Sequence, residues 1–429
     1  MNFAELLDQA PHMADSPLVA GLRPITVVTP DLAATEVADV HAGRAPRPGP
    51  VTVAVLTHNE AEHIGACLAA LSQDADRILL VDAESTDGTI EQARRVRPDL
   101  EVLSAPWRDD FAHQRNLALS QVREGWVVFV DADEVLAAED AGRLRDALCA
   151  LDQLLPAEDF SVSPRIVDVD GTGYSDNRRI LRAGTRYRYR GRIHEKPYDE
   201  AGCPPARVYL DVRFNHFGYT PEAMERKAKR RRNRRLLDLC RQEEPENATW
   251  VYYLIRDTTD FRTTGADRLR ARFEELRSAV DRPLPEDAPA RLTERHVDAW
   301  ALLCQLALGF GGTAEVKEYA ERLDSVGRKV DAAYFTTLME SSRVLGRLSD
   351  LADRIAEAGA WETLDNRHLV GRLYEVQATV ALASGRYDLV PDACRAARER
   401  GAGSGLAEDL TRLRELLGTL DAPRVRQSS

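Results

Sequence analysis

The sequence lacks any run of about twenty apolar residues, the length that a membrane-spanning helix needs. Its opening, MNFAELLDQAPHMADSPL, has no basic start followed by an apolar stretch, so we expect a cytoplasmic protein without a secretory signal. Cysteine is scarce, and the six thiols show no CxxC pair or metal-ligand spacing, so we expect reduced core residues. Basic residues are outnumbered 58 to 70, and a net charge of −12 argues against a surface built to bind nucleic acid.

The chain is long enough for more than one folded unit. With 429 residues and 44% hydrophobic content, two or three globular units are expected. Proline and glycine break regular structure over residues 43–50, which we predict to be a linker. We therefore divide the chain into an N-terminal helical segment and linker (1–50), an α/β domain (51–220) and a helical domain (221–429).

The second segment shows the pattern of a βαβ sheet. From Val51, short apolar runs such as VTVAVLT, RILLVDA, LEVLSA and WVVFVDAD alternate with amphipathic helical stretches. This predicts a parallel sheet covered on both faces, whose ligands bind at the carboxyl ends of the strands. Residues 160–219 mix two strand candidates, FSVSPRIV and RVYLDVRF, with many arginines, and we assign them to the same domain.

The last segment is predicted to be helical almost throughout. Glycine or proline interrupts it near Gly265, Pro283, Gly311, Gly312, Gly346, Gly359, Gly385 and Gly401. The stretches between these breaks are long enough for one or two helices each. The pattern predicts stacked helical hairpins of the tetratricopeptide kind.

A strand that ends in two carboxylates is the strongest motif. The apolar run from Trp126 leads into Asp131, Ala132 and Asp133. Such a pair can hold a hard divalent cation and leave positions for water and a diphosphate. The cation would neutralise charge on a departing nucleoside diphosphate. An isolated Asp-x-Asp is more often a polar turn, so this interpretation depends on its neighbours.

Polar side chains also follow the two preceding strands. The candidates are Thr57, Asn59 and Glu60 after the first strand, and Asp82 and Ser85 after the second. Parallel strands end at one edge of a sheet, so these residues should face one crevice with the two aspartates. We assign Asp82 and Glu60 to the uracil N3–H or a ribose hydroxyl. Asp87 and Gly88 have either such a role or only that of a turn that caps the next helix.

A helix beginning near Asp110 should bring two further side chains to the crevice. Arg115 would meet phosphate, and Asn116 the sugar or ribose. The alternative for Arg115 is a surface salt bridge.

These residues resemble those of family 2 glycosyltransferases over about Val51 to Tyr219. The fold that the resemblance implies is the nucleotide-sugar-binding GT-A αβα sandwich, here with a C-terminal all-α helical-repeat domain. Within the family the sequence is similar to the peptide S- and O-glycosyltransferases of glycocin biosynthesis, the group of the sublancin S-glycosyltransferase. The shared stretches are Trp107–Asn116, Tyr174–Arg179, Gly191–Pro197 and Glu244–Asn247.

The resemblance implies roles and partners. Asp131 and Asp133 would hold Mg²⁺ or Mn²⁺, with His216 completing the metal site; the alternative for His216 is a hydrogen-bonded core histidine. The expected reaction is an inverting transfer of a hexose from a UDP-sugar to a Cys or Ser side chain of a ribosomal peptide, as in bacteriocin biosynthesis. Such a reaction needs a base near the acceptor, for which Glu195 and His194 are the candidates. Glu195 could instead pair with Arg192 or Lys196.

The helical region opens with a basic run in an otherwise acidic chain. Its members are Lys227, Lys229, Arg230, Arg231, Arg232, Arg234 and Arg235. A solvated face is the simpler interpretation, and a groove for an acidic leader peptide or for the diphosphate is the alternative. The nearby Trp250, Tyr252 and Tyr253 are expected to be core residues rather than a peptide platform.

Two other functions stay open. The same enzyme could act on a lipid-linked or cell-envelope glycan, as many members of the family do. A protein of another class would be a non-catalytic helical-repeat binding protein, against which Asp131 and Asp133 argue. The resemblance also implies a homodimer through the helical region.

Overall fold

The computed structural model describes residues 1–37, 49–168, 171–174, 177–217, 223–402, 411–412 and 414–415. Most of the predicted linker, part of the stretch Tyr174–Arg179 and the side chain of Lys227 lie outside the described residues. The chain forms two compact units, residues 1–264 with 271–299 and residues 265–270 with 300–429. The boundaries at residues 50 and 220 stay a prediction.

The first unit contains one large mixed sheet and the helices around it. In chain order, its elements are α1 (Phe3–Gln9), α2 (Pro17–Leu22), β1 (Ile25–Val28), α3 (Pro30–Ala33), β2 (Val51–Thr57), α4 (Ile64–Ala70), β3 (Arg77–Asp82), α5 (Thr89–Val96), β4 (Glu101–Ser104), α6 (Phe111–Gln121), β5 (Trp126–Asp131), β6 (Glu134–Leu136), α7 (Arg143–Leu154), β7 (Ser161–Asp168), β8 (Gly173–Tyr174), β9 (Ile180–Arg182), β10 (Arg188–Arg190), β11 (Lys196–Tyr198), β12 (Arg207–His216), α8 (Ala223–Glu243) and α9 (Ala248–Thr258). Short 3₁₀ turns cover Ala10–His12, Ala138–Asp140 and Ala290–Leu292.

The strand order of the sheet is β1-β12-β7-β9-β5-β2-β3-β4, with β6 on β12 and β8 on β7. Strands β5, β2, β3 and β4 are mutually parallel, and β7 is parallel to β12. The short strand β9 lies antiparallel between β5 and β7. Strands β10 and β11 form a separate hairpin. The parallel half carries the strand ends that the sequence predicts to meet at one edge.

Burial on both faces explains the continuous apolar runs of this sheet. Val53, Val55 and Val130 point to one large core, while Ala54 and Phe129 point to a second core on the opposite face. A strand buried on both sides cannot alternate apolar and polar residues. The predicted α/β fold class and the helical C-terminal region are confirmed.

The N-terminal segment departs from its prediction as a helical segment. Residues 25–28 form strand β1, which pairs antiparallel with β12 and extends the main sheet. The stretch Ile25–Val28 is largely β-branched, which favours a strand, but it is too short to stand out by periodicity. This sheet therefore begins before residue 51.

The later helices follow the predicted breaks with one exception. Helices α10 (Ala266–Val280) and α11 (His296–Phe310) are followed by α12 (Thr313–Ser325), α13 (Lys329–Ala356), α14 (Arg367–Ala383) and α15 (Val390–Glu399), with a 3₁₀ turn over Glu357–Trp361. The break at Gly346 is wrong, because this glycine lies inside α13. A glycine within a helix costs about 1 kcal/mol relative to alanine, which a 28-residue helix can tolerate. No helix among the described residues combines the length and the apolar character needed to cross a membrane.

Candidate functional site

Three neighbouring strands place acidic side chains at one edge of the sheet. In the parallel registers, Thr57 of β2 lies beside Asp82 of β3, and Leu56 of β2 lies beside Asp131 of β5. The sequence predicted this edge, and its strand tips are adjacent as expected.

The loops after β2 and β3 are tied together by polar contacts. The Asn59 backbone N–H donates to Ser85 Oγ at 2.9 Å, and the Thr86 N–H donates to Asn59 Oδ1 at 2.9 Å. Ser85 N–H in turn donates to Asp82 Oδ2 at 3.0 Å. Asn59 and Glu84 both have positive φ, a conformation that non-glycine residues adopt rarely and mostly at functional sites. The loops are therefore held in a defined shape.

Asp82 keeps one carboxylate oxygen without a partner. Its side chain is buried, and within the described residues Oδ1 makes no hydrogen bond; the same holds for the hydroxyl of Thr57 beside it. A buried oxygen without a donor costs free energy unless a ligand or water satisfies it. Asp82 Oδ1 can accept a hydrogen bond from a nucleoside group, and the Thr57 hydroxyl can accept or donate one.

Asp87 and Gly88 have a local structural role. Asp87 accepts hydrogen bonds from the backbone N–H groups of Ala61 and Thr89, both at 3.0 Å. Gly88 precedes α5 with a φ of 92°, in the left-handed region that favours glycine. These contacts are those of a turn that caps α5.

Two arginines hold the carboxylate of Asp131. Arg115 Nη2 lies 3.3 Å from its Oδ1, and Arg179 Nη2 lies 2.7 Å from its Oδ2. Arg179 Nη1 also contacts Glu134 Oε2 at 2.6 Å, and the backbone N–H of Asp131 donates to the same oxygen at 3.0 Å. Arg115 is thus not a surface salt bridge, since its side chain is 5% exposed.

The electrostatics of this group follow from burial and the two guanidinium charges. Burial raises the pKa of Glu134 to about 7, because the charge of Arg179 only partly offsets the loss of water and Asp131 repels it. For Asp131, burial opposes ionisation, yet the charges of Arg179 and Arg115 hold its pKa well below the usual range. Asp131 is therefore ionised, and Glu134 exchanges its proton near neutral pH.

His216 joins Asp133 to a further carboxylate. Its Nε2 lies 3.2 Å from Asp133 Oδ2, and its Nδ1 lies 2.7 Å from Asp168 Oδ1. Burial lowers the pKa of His216, but hydrogen bonds and charge from Asp133 and Asp168 outweigh it and raise the pKa to about 9. Burial raises the pKa of Glu60, and the negative charge of Asp133 raises it further.

The donor set suits a divalent cation only in part. Asp133 and His216 bring an oxygen and a nitrogen to one place, as Mn²⁺ accepts, and Asp168 orients the ring from behind. Asp131 does not fit in this arrangement, because both of its oxygens are held by arginines. Within the part of the chain that the structure describes, no three His, Cys, Asp or Glu side chains are grouped as a metal site requires.

The two candidate bases lie on the loop before β11. Glu195 Oε1 accepts from Arg115 Nε at 2.6 Å, so it pairs with neither Arg192 nor Lys196, its predicted alternatives. His194 Nε2 lies 2.7 Å from Asp257 Oδ2, and its ring stacks on Tyr253 with centroids 4.1 Å apart. His194 has a φ of 54°, so its backbone is held in an uncommon conformation.

Gly191 allows this loop to pass α9. A Cβ there would lie 2.5 Å from the Trp250 ring, and the φ of Gly191 is 97°. A larger residue would displace the loop that carries both candidate bases.

Asn116 has a structural contact in place of a free amide. Its Nδ2 donates to the carbonyl of Tyr189 at 2.9 Å, and its Oδ1 accepts from the N–H of Tyr189, also at 2.9 Å. Both halves of the amide thus bind the backbone of β10, and its predicted contact with the sugar stays a prediction. Ala132, between the two aspartates, is buried, and its predicted contact with the nucleotide-sugar likewise stays a prediction.

Four residues at the site were missed by the sequence analysis: Glu134, Asp168, Arg179 and Asp257. Asp168 ends β7, and its register beside His216 on β12 could have been found by aligning strand ends. The other contacts depend on tertiary packing.

Comparisons with known proteins identify what the α/β domain is similar to. Residues 52–212 match the family model of glycosyl transferase family 2. The SPbeta prophage-derived glycosyltransferase SunS of Bacillus subtilis is 28% identical over 312 residues, which are 72% of this chain and 71% of SunS. The lipopolysaccharide core biosynthesis glycosyltransferase LpsC of Rhizobium meliloti is 30% identical over 174 residues, 37% of this chain and 61% of LpsC.

A solved structure, that of S. aureus TarS, aligns with 62% of this chain and 53% of TarS at 16% identity and a TM-score of 0.35. The mixed sheet and the family model confirm the predicted GT-A sandwich. Residues 52–212 of this chain are therefore a family 2 glycosyltransferase domain.

Proposed function

We propose that this enzyme transfers a hexose from a UDP-sugar to a Cys or Ser side chain of a peptide, with inversion at the anomeric carbon. The observation that carries the proposal is a series of contacts from Asp131 through Arg115 to Glu195, at 3.3 and 2.6 Å. It joins the edge where a nucleoside diphosphate would bind to a carboxylate that can take a proton. The similarity to the glycosyltransferase SunS supports the transfer of a sugar.

The donor would lie across the tips of β2, β3 and β5. The unpartnered oxygen of Asp82 would accept from the uracil N3–H or a ribose hydroxyl, beside Thr57. Asn59 and Ser85, which bind each other's loop, would fix the shape of this half of the crevice. We assign the nucleoside to this half because the buried Asp82 Oδ1 and Thr57 Oγ1 have no hydrogen-bond partner among the described residues.

The diphosphate would lie toward Asp133 and Arg115. Asp133 and His216 would hold Mg²⁺ or Mn²⁺, and such a cation supplies charge neutralisation for the departing diphosphate when bound. For His216 to bind the cation, its Nε2 must lose its proton. Its Nδ1 would stay protonated and donate to Asp168. Arg115 Nη1 is buried and makes no hydrogen bond within the described residues, so it can donate to a phosphate oxygen.

Glu195 would act as the base. The acceptor sulfur or oxygen forms its bond to the anomeric carbon while the bond from that carbon to the diphosphate oxygen breaks. The acceptor proton passes to Glu195, and the electron pair leaves with UDP. Arg115 holds the carboxylate of Glu195 in place. His194, oriented by Asp257, is the second candidate for this role. A thiol needs less help than a hydroxyl, because its pKa of about 8.5 leaves some thiolate near neutral pH.

A glycan acceptor is the second candidate function. The observation that favours it is the similarity to LpsC, a glycosyltransferase of lipopolysaccharide core biosynthesis. The donor half of the site would be the same, and only the acceptor would differ. A homodimer through the helical region and a cytoplasmic location stay predictions.

Mass spectrometry of the products tests the proposal. The protein is incubated with Mn²⁺, a panel of UDP-hexoses and short peptides that contain Cys or Ser, and in parallel with a lipid-linked glycan. We expect a hexose to be added to a peptide side chain. The control variant Glu195→Gln keeps the size of the side chain but cannot take the proton.

Hexose gained only by the glycan would reject the peptide acceptor. If no UDP-sugar is transferred or hydrolysed, yet a partner binds through residues after 221, the chain is a binding protein and not an enzyme.

A further inference from the structure

Helix α8 carries an unusual concentration of positive charge. Residues 230–235 contain five arginines in six positions, although the chain as a whole has a net charge of −12. At 3.6 residues per turn, Arg230, Arg231 and Arg234 fall within an arc of about 100°, so they share one face. All three side chains are exposed, and within the described residues none of them makes an ion pair or a hydrogen bond.

Three other basic residues of α8, Lys229, Arg232 and Arg235, lie near residues around the site. Arg235 pairs with Asp109, in the segment that leads into α6, and Arg232 lies over the Phe111 ring at 5.4 Å. Lys229 lies near Glu60, whose pKa it lowers against the dominant effect of burial. The basic helix therefore borders the edge where Glu60 and Asp133 lie.

The stretch of α8 that follows these arginines is anchored in a core. Leu236, Leu237 and Cys240 are buried with Ile193 and Trp250, and the N–H of Arg192 donates to Cys240 Sγ at 3.4 Å. The same core thus holds α8 and the loop that carries the two candidate bases. The arginine face is fixed relative to that loop, as an acceptor-binding surface must be.

We propose that Arg230, Arg231 and Arg234 form a docking face for a negatively charged segment of the acceptor peptide. This proposal rests on the proposed peptide acceptor, and it specifies that the peptide is negatively charged. Charge complementarity identifies the occupant: exposed guanidinium groups along more than one helical turn can each meet a separate carboxylate. The donor diphosphate is assigned to Asp133 and Arg115, so it is not the occupant of this face.

A membrane surface fits this face less well. Helices that lie on membranes expose large apolar residues beside their basic ones, so that the apolar face enters the lipid. In the part of α8 whose side chains the structure describes, Leu236 and Leu237 are buried in the protein core. The face ends at Asp238, one turn beyond Arg234, which would repel a longer acidic ligand.

The test uses the full chain and two peptides that differ only in charge. Each contains one cysteine, flanked by glutamates in one peptide and by glutamines in the other. Fluorescence anisotropy measures binding, and product analysis measures KM. The variant is Arg230→Glu, Arg231→Glu and Arg234→Glu together. The control, Arg94→Glu, Arg95→Glu and Arg123→Glu, changes the net charge equally at exposed positions elsewhere.

We expect the wild type and the control to favour the glutamate peptide, and the α8 variant to lose this preference. Exposed ion pairs are individually weak, so the combined change in affinity or KM should be on the order of tenfold at about 0.05 M salt. The difference should shrink at about 0.5 M salt, where charges are screened. A peptide with lysines in place of the glutamates should bind the α8 variant better than the wild type.

Equal binding of both peptides by the wild type, or an unchanged preference in the α8 variant, overturns the proposal. Binding to vesicles of anionic lipid with none to the glutamate peptide also overturns it. If the glutamate peptide binds through α8 but is never glycosylated, the docking face stands and the proposed transfer to peptide fails. Calorimetry of UDP binding, expected to be equal in all variants, checks that the donor site is intact.

Discussion

Replacing Arg179 by glutamine should destabilise the first compact unit by several kcal/mol. The guanidinium of Arg179 contacts Asp131 at 2.7 Å and Glu134 at 2.6 Å, and its side chain is 12% exposed. Glu134 is 1% exposed, so its carboxylate cannot recover hydration when its partner is removed. Breaking a buried pair from one side costs about 3–5 kcal/mol, a large share of the stability of a typical domain.

The loss should depend on pH in a defined direction. Burial raises the pKa of Glu134 from 4.5 to about 7, so the folded state holds a proton that the unfolded state has released, and stability falls as pH rises through this window. Without Arg179 the folded pKa of Glu134 rises further. The difference between the wild type and Arg179→Gln should therefore grow above pH 7.

Urea unfolding followed by circular dichroism at about pH 6 and about pH 8.5 measures both effects. Arg179→Lys keeps the charge but not the planar guanidinium group. Its free energy of unfolding should lie between those of the wild type and Arg179→Gln. The matched control is Arg77→Gln, which breaks an exposed pair with Glu101 and should change stability by less than about 1 kcal/mol. If Arg179→Gln matches Arg77→Gln at both pH values, the reasoning about this buried group is wrong.

Three further outcomes follow from the site. Glu195→Gln should lower kcat about 10²–10⁴-fold with little change in the KM for the UDP-sugar, measured by UDP release; an unchanged kcat would exclude Glu195 as the base. The pKa of His216 is raised from 6.5 to about 9, so its stabilisation, at most about 3 kcal/mol, is complete below pH 6.5 and lost as pH rises through 9. Thermal unfolding with chelator should show a steeper loss over this range in the wild type than in His216→Gln, and parallel curves would contradict it. Asn116→Ala removes both contacts to Tyr189 and should destabilise the fold by about 1–3 kcal/mol in urea unfolding; an effect on UDP affinity alone would instead support its predicted role at the sugar.

The sequence predicts the polar edge of the sheet well, because strand ends follow from apolar runs. Thr57, Asp82 and Asp131 each end a buried run, and parallel pairing brings such ends together without further information. The sequence also predicts the start of α6 near Asp110. The Asp110 side chain accepts a hydrogen bond from the N–H of His113 at 2.9 Å, as an N-terminal helix cap does.

The partners of these residues could not be predicted in the same way. Arg179 lies 48 positions after Asp131 and reaches it because β9 inserts antiparallel between β5 and β7. A three-residue strand gives no periodicity from which to infer that insertion. Asp257 meets His194 only because α9 packs on the loop before β11. Such contacts depend on topology, not on local pattern.

We propose that the carboxylate edge of the sheet binds a nucleoside diphosphate through a cation held by Asp133 and His216. Calorimetric titration of UDP into the wild type and Asp133→Ala, each with Mn²⁺ and with chelator, tests it most directly. We expect UDP to bind the wild type at least about tenfold more tightly with Mn²⁺, a difference of about 1.4 kcal/mol, and Asp133→Ala to lose that gain. Equal UDP affinity in all four titrations would contradict the account.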